Sequence, residues 1–311
     1  MNHPLKTLLD VQGFAMLDGG LATELEKRGA DLDHFLWSAR LLAESPGLIR
    51  DVHYDYLVAG ADIIATATYQ ASFGGLARAG FEQQKAEELM RLSVDLAMQA
   101  REQFWSTEQY RAGRLSPLVA ASIGPYGACL HDGSEYHGNY GIGRQALRDF
   151  HRPRLDLLAD TRADLLAFET IPSLQEAEVL VELMGEHPEK RAWLSFSCRD
   201  GARVSHGEDF AECAALAEGS EQIVAVGINC TPPQYVSALL ESANHLQTPL
   251  VVYPNSGEHW IAEENRWAGQ ECAIFPVREW YERGARLLGG CCRTGPEDIR
   301  GIRAELASIA G

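Results

Sequence analysis

Ile223-Val224-Ala225-Val226-Gly227-Ile228-Asn229 is seven uncharged residues that run directly into Cys230. A continuous apolar run of this length, rich in β-branched residues, fits a strand buried on both faces, as in a parallel sheet. Seven further runs of the same kind lie at residues 14–18, 62–66, 117–122, 164–169, 192–196, 249–253 and 285–290. Helical patterns separate them. Residues 82–104 place Ala86, Leu89, Met90, Val94 and Ala97 at spacings of three and four, one face of a helix. Residues 176–184, 210–217, 233–246, 275–281 and 296–309 read the same way. Pro296 suits a first helical turn, and Gly60 and Gly284 act as helix stops that lead straight into strands.

Eight strands alternating with helices predict an α/β fold, a single (β/α)8 TIM barrel occupying residues 1–311 as one domain. The first three units are longer, so insertions are expected in them. A doubly wound sheet is the alternative, but no G-x-G-x-x-G follows the first strand. Gly141-Ile142-Gly143 reads as a loop or helix cap.

Composition bounds the function. Of 311 residues, 46% are apolar and 23% charged, which excludes wholesale disorder. A net charge of -17 argues against nucleic acid or an anionic membrane as partner. No apolar run approaches the roughly 20 residues that span a bilayer, and residues 1–14 lack a signal-peptide core. A cytoplasmic location is expected, where the seven cysteines stay reduced. The sequence sets no oligomeric state.

A barrel carries its chemistry at the C-terminal ends of its strands. There the sequence places Asp18-Gly19-Gly20, Thr68-Tyr69-Gln70, Ser122, Glu169-Thr170, Asn229-Cys230, Tyr253-Pro254-Asn255 and Gly289-Gly290-Cys291-Cys292. Cys230 and Cys291 are 61 positions apart in the chain but face one mouth. Three protein ligands with one open position is the pattern of a catalytic zinc site, and sulfur selects zinc over magnesium or calcium. Adjacent cysteines on a regular strand point to opposite faces, so a bend is needed, and Gly289 and Gly290 are expected to provide it. Other readings stand beside this one. Cys129, Cys213 and Cys272 read as small buried hydrophobes, Cys198 lies near the end of strand five, and Cys291-Cys292 would also suit redox chemistry. Asp18 would serve as a helix cap. Glu169 would pair with an arginine, or with Asp18 hold an ammonium group.

Together these residues resemble the homocysteine S-methyltransferase family over nearly the whole chain. The resemblance rests on Leu17-Asp18-Gly19-Gly20, Gly60-Ala61-Asp62 through Thr68-Tyr69-Gln70-Ala71-Ser72, Ser122-Ile123-Gly124-Pro125-Tyr126-Gly127 and Glu169-Thr170. It rests most on Gly227-Ile228-Asn229-Cys230 with Gly289-Gly290-Cys291-Cys292-Arg293. Asp132-Gly133-Ser134-Glu135-Tyr136 and Tyr253-Pro254-Asn255-Ser256-Gly257-Glu258 are similar to the branch that uses S-methylmethionine.

The resemblance implies one Zn2+ per chain held by Cys230, Cys291 and Cys292 at the C-terminal mouth, and methylation of L-homocysteine to methionine. It implies homocysteine contacts at Asp18, Gly19 and Glu169, and methyl-donor contacts at Trp37, Tyr69 and Asn255. S-methyl-L-methionine is the implied donor, giving two methionines, with S-adenosylmethionine or betaine as the alternative. No general acid is called for, because a sulfonium leaves as a neutral thioether. Competing classes are a zinc hydrolase, disfavoured by the sulfur ligands and the lack of a convincing base, and a barrel with structural zinc or a redox thiol pair.

Overall fold

Alternation within the eight apolar runs divides them between two cores. In the computed structural model, which describes residues 3–32, 36–261, 266–269 and 275–310, each run forms a strand. These are β1 (Ala15–Met16), β2 (Ile63–Ala65), β3 (Leu118–Ile123), β4 (Leu165–Ile171), β5 (Ala192–Phe196), β6 (Ile223–Asn229), β7 (Leu250–Tyr253) and β10 (Ala285–Leu288). Between the last two lies an antiparallel hairpin, β8 (His259–Ile261) with β9 (Arg266–Ala268). Ala15, Leu17, Ile63, Ala120, Leu165, Ala167, Trp193, Ala225, Val251 and Leu287 fill the inside of the sheet. Their neighbours Met16, Ile64, Val119, Ala121, Leu166, Phe168, Leu194, Val226, Val252 and Leu288 pack outward under the helices. Both faces of each strand are therefore apolar, which is why the runs are continuous.

The strands are parallel in the order β1-β10-β7-β6-β5-β4-β3-β2. The ring closes between its two ends: the Asp62 N–H donates to the Met16 carbonyl at 2.6 Å, and the Asp18 N–H to the Ile63 carbonyl at 3.1 Å. This is the predicted (β/α)8 barrel. Asp62, fully buried, also takes ion pairs from Arg114 at 3.0 Å and Arg303 at 2.9 Å and a bond from the Met16 N–H at 3.0 Å.

Besides the β8–β9 hairpin, an N-terminal helix was not anticipated. A helix over Pro4–Gln12 buries Leu5 and Leu8 against the inner core, and its Gln12 Nε2 donates to Asp62 at 2.7 Å. It thus covers the end of the barrel opposite the strand C-termini. Each buried leucine contributes about 2 kcal/mol at most.

The helical readings hold with local changes. Residues 82–104 correspond to Gln83–Ser106, and the last helix runs Pro296–Ala310. The 210–217 stretch is split into a helix over Phe210–Ala214 and a 3-10 turn over Ala215–Gly219, and the 233–246 stretch stops at Ser242. Gly60 (φ 121°) and Gly284 (φ 100°) adopt the left-handed backbone of helix stops. Gly143 caps the helix over Arg144–Ala159. The expected insertions include Trp37–Arg40, Leu41–Glu44 and Phe73–Arg78. Among the described residues no helix is long and apolar enough to cross a membrane.

His53, on the helix over Pro46–Ala59, is fully buried, and among the described residues neither ring nitrogen has a hydrogen-bond partner. Burial pushes its pKa down to about 4. The unfolded chain therefore binds a proton near pH 6.5 that the folded chain refuses until about pH 4. Relative to the His53→Leu variant, the wild type should lose ~3 kcal/mol of stability as pH falls through that interval. Urea unfolding of both proteins at a series of pH values tests this, and a pH-independent difference would refute it.

Candidate metal centre and acidic cavity

The C-terminal end of β7 holds two distant loops together. The Cys230 N–H donates to the Tyr253 carbonyl at 3.1 Å, and the Cys291 N–H donates to the next carbonyl, Pro254, at 2.8 Å. The Ser256 N–H then donates to the Cys292 carbonyl at 3.1 Å. Both cysteine segments are thus bonded to one short stretch of main chain.

Side-chain direction is set by breaks in strand alternation. Ile228 faces the outer core and Asn229 points inward, so a continued strand would turn Cys230 outward. Cys230 instead has φ 47°, a left-handed conformation that costs a non-glycine residue roughly 1–3 kcal/mol. Its sulfur faces the mouth. Thr170 repeats the device after Glu169, with φ 62° at a register shift between β4 and β5.

Gly289 and Gly290 do not supply the bend expected of them. Neither has a positive φ. Their role is close approach: a Cβ on Gly289 would lie 2.6 Å from Leu17 Cβ, and one on Gly290 would lie 2.0 Å from Thr294 Oγ1. The bend comes one step later, in a turn from Cys291 to Thr294 that is closed by the Thr294 N–H to Cys291 carbonyl bond at 3.2 Å. Arg293 in that turn has φ 69°.

The sulfurs of Cys230, Cys291 and Cys292 all lie within 4.8 Å of one another, with Cys230–Cys292 at 3.7 Å and Cys291–Cys292 at 4.0 Å. Thiolates on a tetrahedral zinc at about 2.3 Å would be about 3.8 Å apart, so the spacing fits such an ion. The six described cysteines are free, and Cys272 lies outside the described residues. Thiols from Cys291 and Cys292 bonding to the Cys230 sulfur hold its pKa well below the usual thiol range, while their own are pushed well above it. The Tyr136 hydroxyl is 3.6 Å from Cys230 Sγ.

A cavity of about 170 Å³ opens beside the cluster. Asp18, Gly19, Tyr69 and Glu169 line it along with the three cysteines, so the structure brings these sequence-selected residues together. Asn255 does not line it; it is buried in the loop after β7, where its Oδ1 accepts the Gly257 N–H at 2.9 Å. Trp37 opens the 3-10 turn over Trp37–Arg40, and its side chain lies outside the described part of the structure.

Glu169 is held by the Ser122 hydroxyl on one oxygen and by the Tyr253 hydroxyl at 3.1 Å on the other. Tyr253 in turn is 2.9 Å from Trp193 Nε1 and 2.6 Å from Ser195 Oγ. Asn229 joins this network, accepting from the Thr170 N–H at 2.7 Å and from Ser195 Oγ at 2.9 Å. Burial pushes Glu169 up to about 7, against the two hydroxyl bonds that pull it down. Burial also raises Asp18 well above the usual carboxylate range, although Asp18 Oδ2 accepts the Ala65 N–H at 2.9 Å.

Residue-by-residue reading of the strand ends missed two side chains. Glu135 and Tyr136 line the cavity from a 3-10 turn over Ser134–Tyr136, well beyond the end of β3. Their only signal was membership of the Asp132–Tyr136 motif. Burial pushes Glu135 up to about 7 as well. Among the described residues Glu26 is the fourth acid on the lining, and no lysine or arginine joins it.

A family model described as homocysteine S-methyltransferase matches residues 15–306. The homocysteine S-methyltransferase of Bacillus subtilis is 49% identical over 311 residues, covering 99% of each chain. That of Escherichia coli is 48% identical over 308 residues, covering 97% of this chain and 98% of its own. The crystal structure of the Escherichia coli homocysteine methyltransferase MmuM in a metallated form superposes with a TM-score of 0.87 at 45% identity, over 97% of this chain and 100% of that one.

The cluster should bind one thiophilic divalent ion per chain. With Cd2+ as a spectroscopic stand-in for zinc, one equivalent should produce thiolate-to-metal charge-transfer absorbance. Cys230→Ala and Cys291→Ala should each abolish tight binding. A full equivalent retained by both variants would remove the assignment.

Proposed function

The chain belongs to the homocysteine S-methyltransferase family and carries that activity, and we propose that its methyl donor is S-methyl-L-methionine and its metal zinc. The observation that carries the donor reading is a cavity lined, among the described residues, by four acids and no lysine or arginine, set against three converging thiols. A sulfonium amino acid brings two cationic centres into such a cavity. We assign the work to one homocysteine-binding domain over residues 1–311, with no nucleic-acid or membrane partner. A reducing cytoplasm, in which the free thiols persist, is the location that suits it.

Zinc bound by Cys230, Cys291 and Cys292 supplies the Lewis acidity that keeps the homocysteine sulfur a thiolate at neutral pH. The chain's own residues position the reactants. Glu169, fixed by Ser122 and Tyr253, accepts the homocysteine ammonium, with Asp18 as the second carboxylate of the same end. Gly19 lines the cavity beside them and offers its main chain to the amino acid; its missing Cβ lets the turn pack tightly, since a Cβ there would lie 2.8 Å from the Thr294 carbonyl. Tyr69, half-buried at the cavity wall, supplies an aromatic face for the donor sulfonium.

In the reaction a bond forms between the homocysteine sulfur and the methyl carbon as the donor carbon–sulfur bond breaks. The electron pair of the broken bond stays on the donor sulfur, which leaves as a neutral thioether. Both products are methionine. The thiol proton of homocysteine is lost before the attack, and the leaving group takes none. Alignment of the two sulfurs with the methyl, and exclusion of water, are the tasks left to the protein.

Zinc-loaded enzyme should form methionine from homocysteine with S-methyl-L-methionine faster than with S-adenosylmethionine or betaine. Preference for either of the others overturns the donor reading. Glu169→Gln should raise the KM for homocysteine ~10-fold or more, since a charge-assisted bond is worth about 1.5–3 kcal/mol; an unchanged KM would exclude the role.

The carboxylate form of Glu169 binds the ammonium, and its pKa is about 7. Binding of the product L-methionine, which has no thiol to titrate, should therefore tighten as pH rises to about 7 and then level off. Below that value it should weaken by up to about tenfold per pH unit. Calorimetry on wild type and on Glu169→Gln decides it: the variant should show a weaker pH dependence, carried by Asp18 and Glu135, and an unchanged profile would exclude Glu169 as the titrating group.

A further inference from the structure

Two acceptor atoms of side chains on the cavity wall have no partner among the described residues. Glu135 Oε2 is sealed from solvent and accepts no hydrogen bond from the described residues. Gln70 Oε1 is in the same condition, while its Nε2 donates to the Ala128 carbonyl at 3.0 Å. Both side chains line the cavity. The other inner acids differ: Asp18 already accepts the Ala65 N–H, and Glu169 accepts two hydroxyls. A buried carboxylate oxygen without a donor costs several times what an exposed one does, unless a ligand completes it.

Glu135 is held in place. The Ser134 N–H and hydroxyl both bond to Asp132 Oδ1, the former at 3.0 Å. Ser197 Oγ donates to the Glu135 carbonyl at 3.2 Å. Gly127 packs so closely under the turn that a Cβ there would lie 2.6 Å from the Glu135 nitrogen. The backbone that carries Glu135 is thus fixed at the cavity wall.

We propose that Glu135, assisted by Gln70 Oε1, receives the α-ammonium of the methyl donor and so selects amino-acid sulfoniums over donors that lack an amine. The inference rests on the reading of S-methylmethionine as donor. Two amino acids occupy the site during reaction, and each brings one ammonium. Asp18 and Glu169 serve the homocysteine ammonium, which leaves the second to the acceptors that the protein does not satisfy. A sulfonium or quaternary ammonium carries charge but no N–H, so it neutralises Glu135 without completing its hydrogen bonds. A site built around such bonds discriminates strongly against a ligand that lacks the donor group.

The test compares S-methyl-L-methionine with its des-amino analogue, (dimethylsulfonio)butanoate, on zinc-loaded wild type and Glu135→Gln. Wild type should favour the amino acid by about 100-fold or more in kcat/KM. Glu135→Gln should raise the KM for S-methylmethionine at least ~10-fold. It should leave the analogue within ~3-fold of wild type and the KM for homocysteine within ~3-fold. Calorimetric binding of S-methylmethionine without homocysteine, where no turnover occurs, should weaken in parallel, and homocysteine binding by the variant confirms that it is folded.

Equal losses with both donors, unchanged binding of S-methylmethionine, or a loss confined to homocysteine would each overturn the proposal. Wild type that turns over S-methylmethionine and a variant that does so equally well refute Glu135 alone. Wild type that cannot use S-methylmethionine refutes the donor reading and this inference with it.

Discussion

Two consecutive carbonyls at the end of β7, those of Tyr253 and Pro254, fix the geometry on which the site depends. Each accepts an N–H from a cysteine, Cys230 on one side and Cys291 on the other. β7 stands between β6 and β10 in the ring, so the two thiol-bearing loops can be registered only through it. The hydrogen bonds set backbone spacing, and the sulfurs follow at 3.7 and 4.0 Å. Closure of the barrel is the prior condition: without the Asp62–Met16 and Asp18–Ile63 bonds, Asp18 and the Gly19 turn would not sit across from the cysteines.

The left-handed residues show why this register is not free. A strand that keeps alternating sends every second side chain into the helical layer, where a thiol would be an inert core residue. Thr170 and Cys230 break alternation at φ 62° and 47°, each one residue after an inward-facing Glu169 or Asn229. Glu169 and Thr170 therefore both line the cavity from β4, while from β6 Cys230 lines it beside a buried Asn229. Asn229 links these strained points, because its Oδ1 accepts the Thr170 N–H and its Nδ2 donates to Thr170 Oγ1 at 2.7 Å. The surrounding bonds over-determine conformations that isolated peptides would leave.

The barrel, the three-thiol cluster and the meeting of Asp18, Gly19, Tyr69 and Glu169 at one mouth were legible in the chain. They follow from strand order and from residues that directly end a strand, both of which are local in sequence. What was not legible depends on sterics between segments. Gly289 and Gly290 read as hinges, yet they serve as contact points for Leu17 and Thr294, and nothing in their own neighbourhood says so. Glu135 reaches the cavity from a 3-10 turn eleven positions after Gly124, where strand logic has no grip. Leu5 and Leu8 looked like an unremarkable terminus because a nine-residue helix has little periodicity to display before it meets the barrel floor.

The chemistry and the electrostatics have one cause. Among the described residues the cavity lining gathers Asp18, Glu26, Glu135 and Glu169 without a lysine or arginine, and burial raises the pKa of all four. An acid pushed up to about 7 is one whose charge the protein itself does not neutralise. Cationic substrates do so, and the interaction gains strength because the low dielectric that penalises the bare carboxylate also magnifies its attraction for an ammonium. With the sulfonium amino acid proposed as donor, methyl transfer would remove the sulfonium charge while both ammonium groups remain. The donor end of the site would then hold its product less strongly than its substrate, and the same desolvated acids that favour binding of a sulfonium would favour release of the thioether.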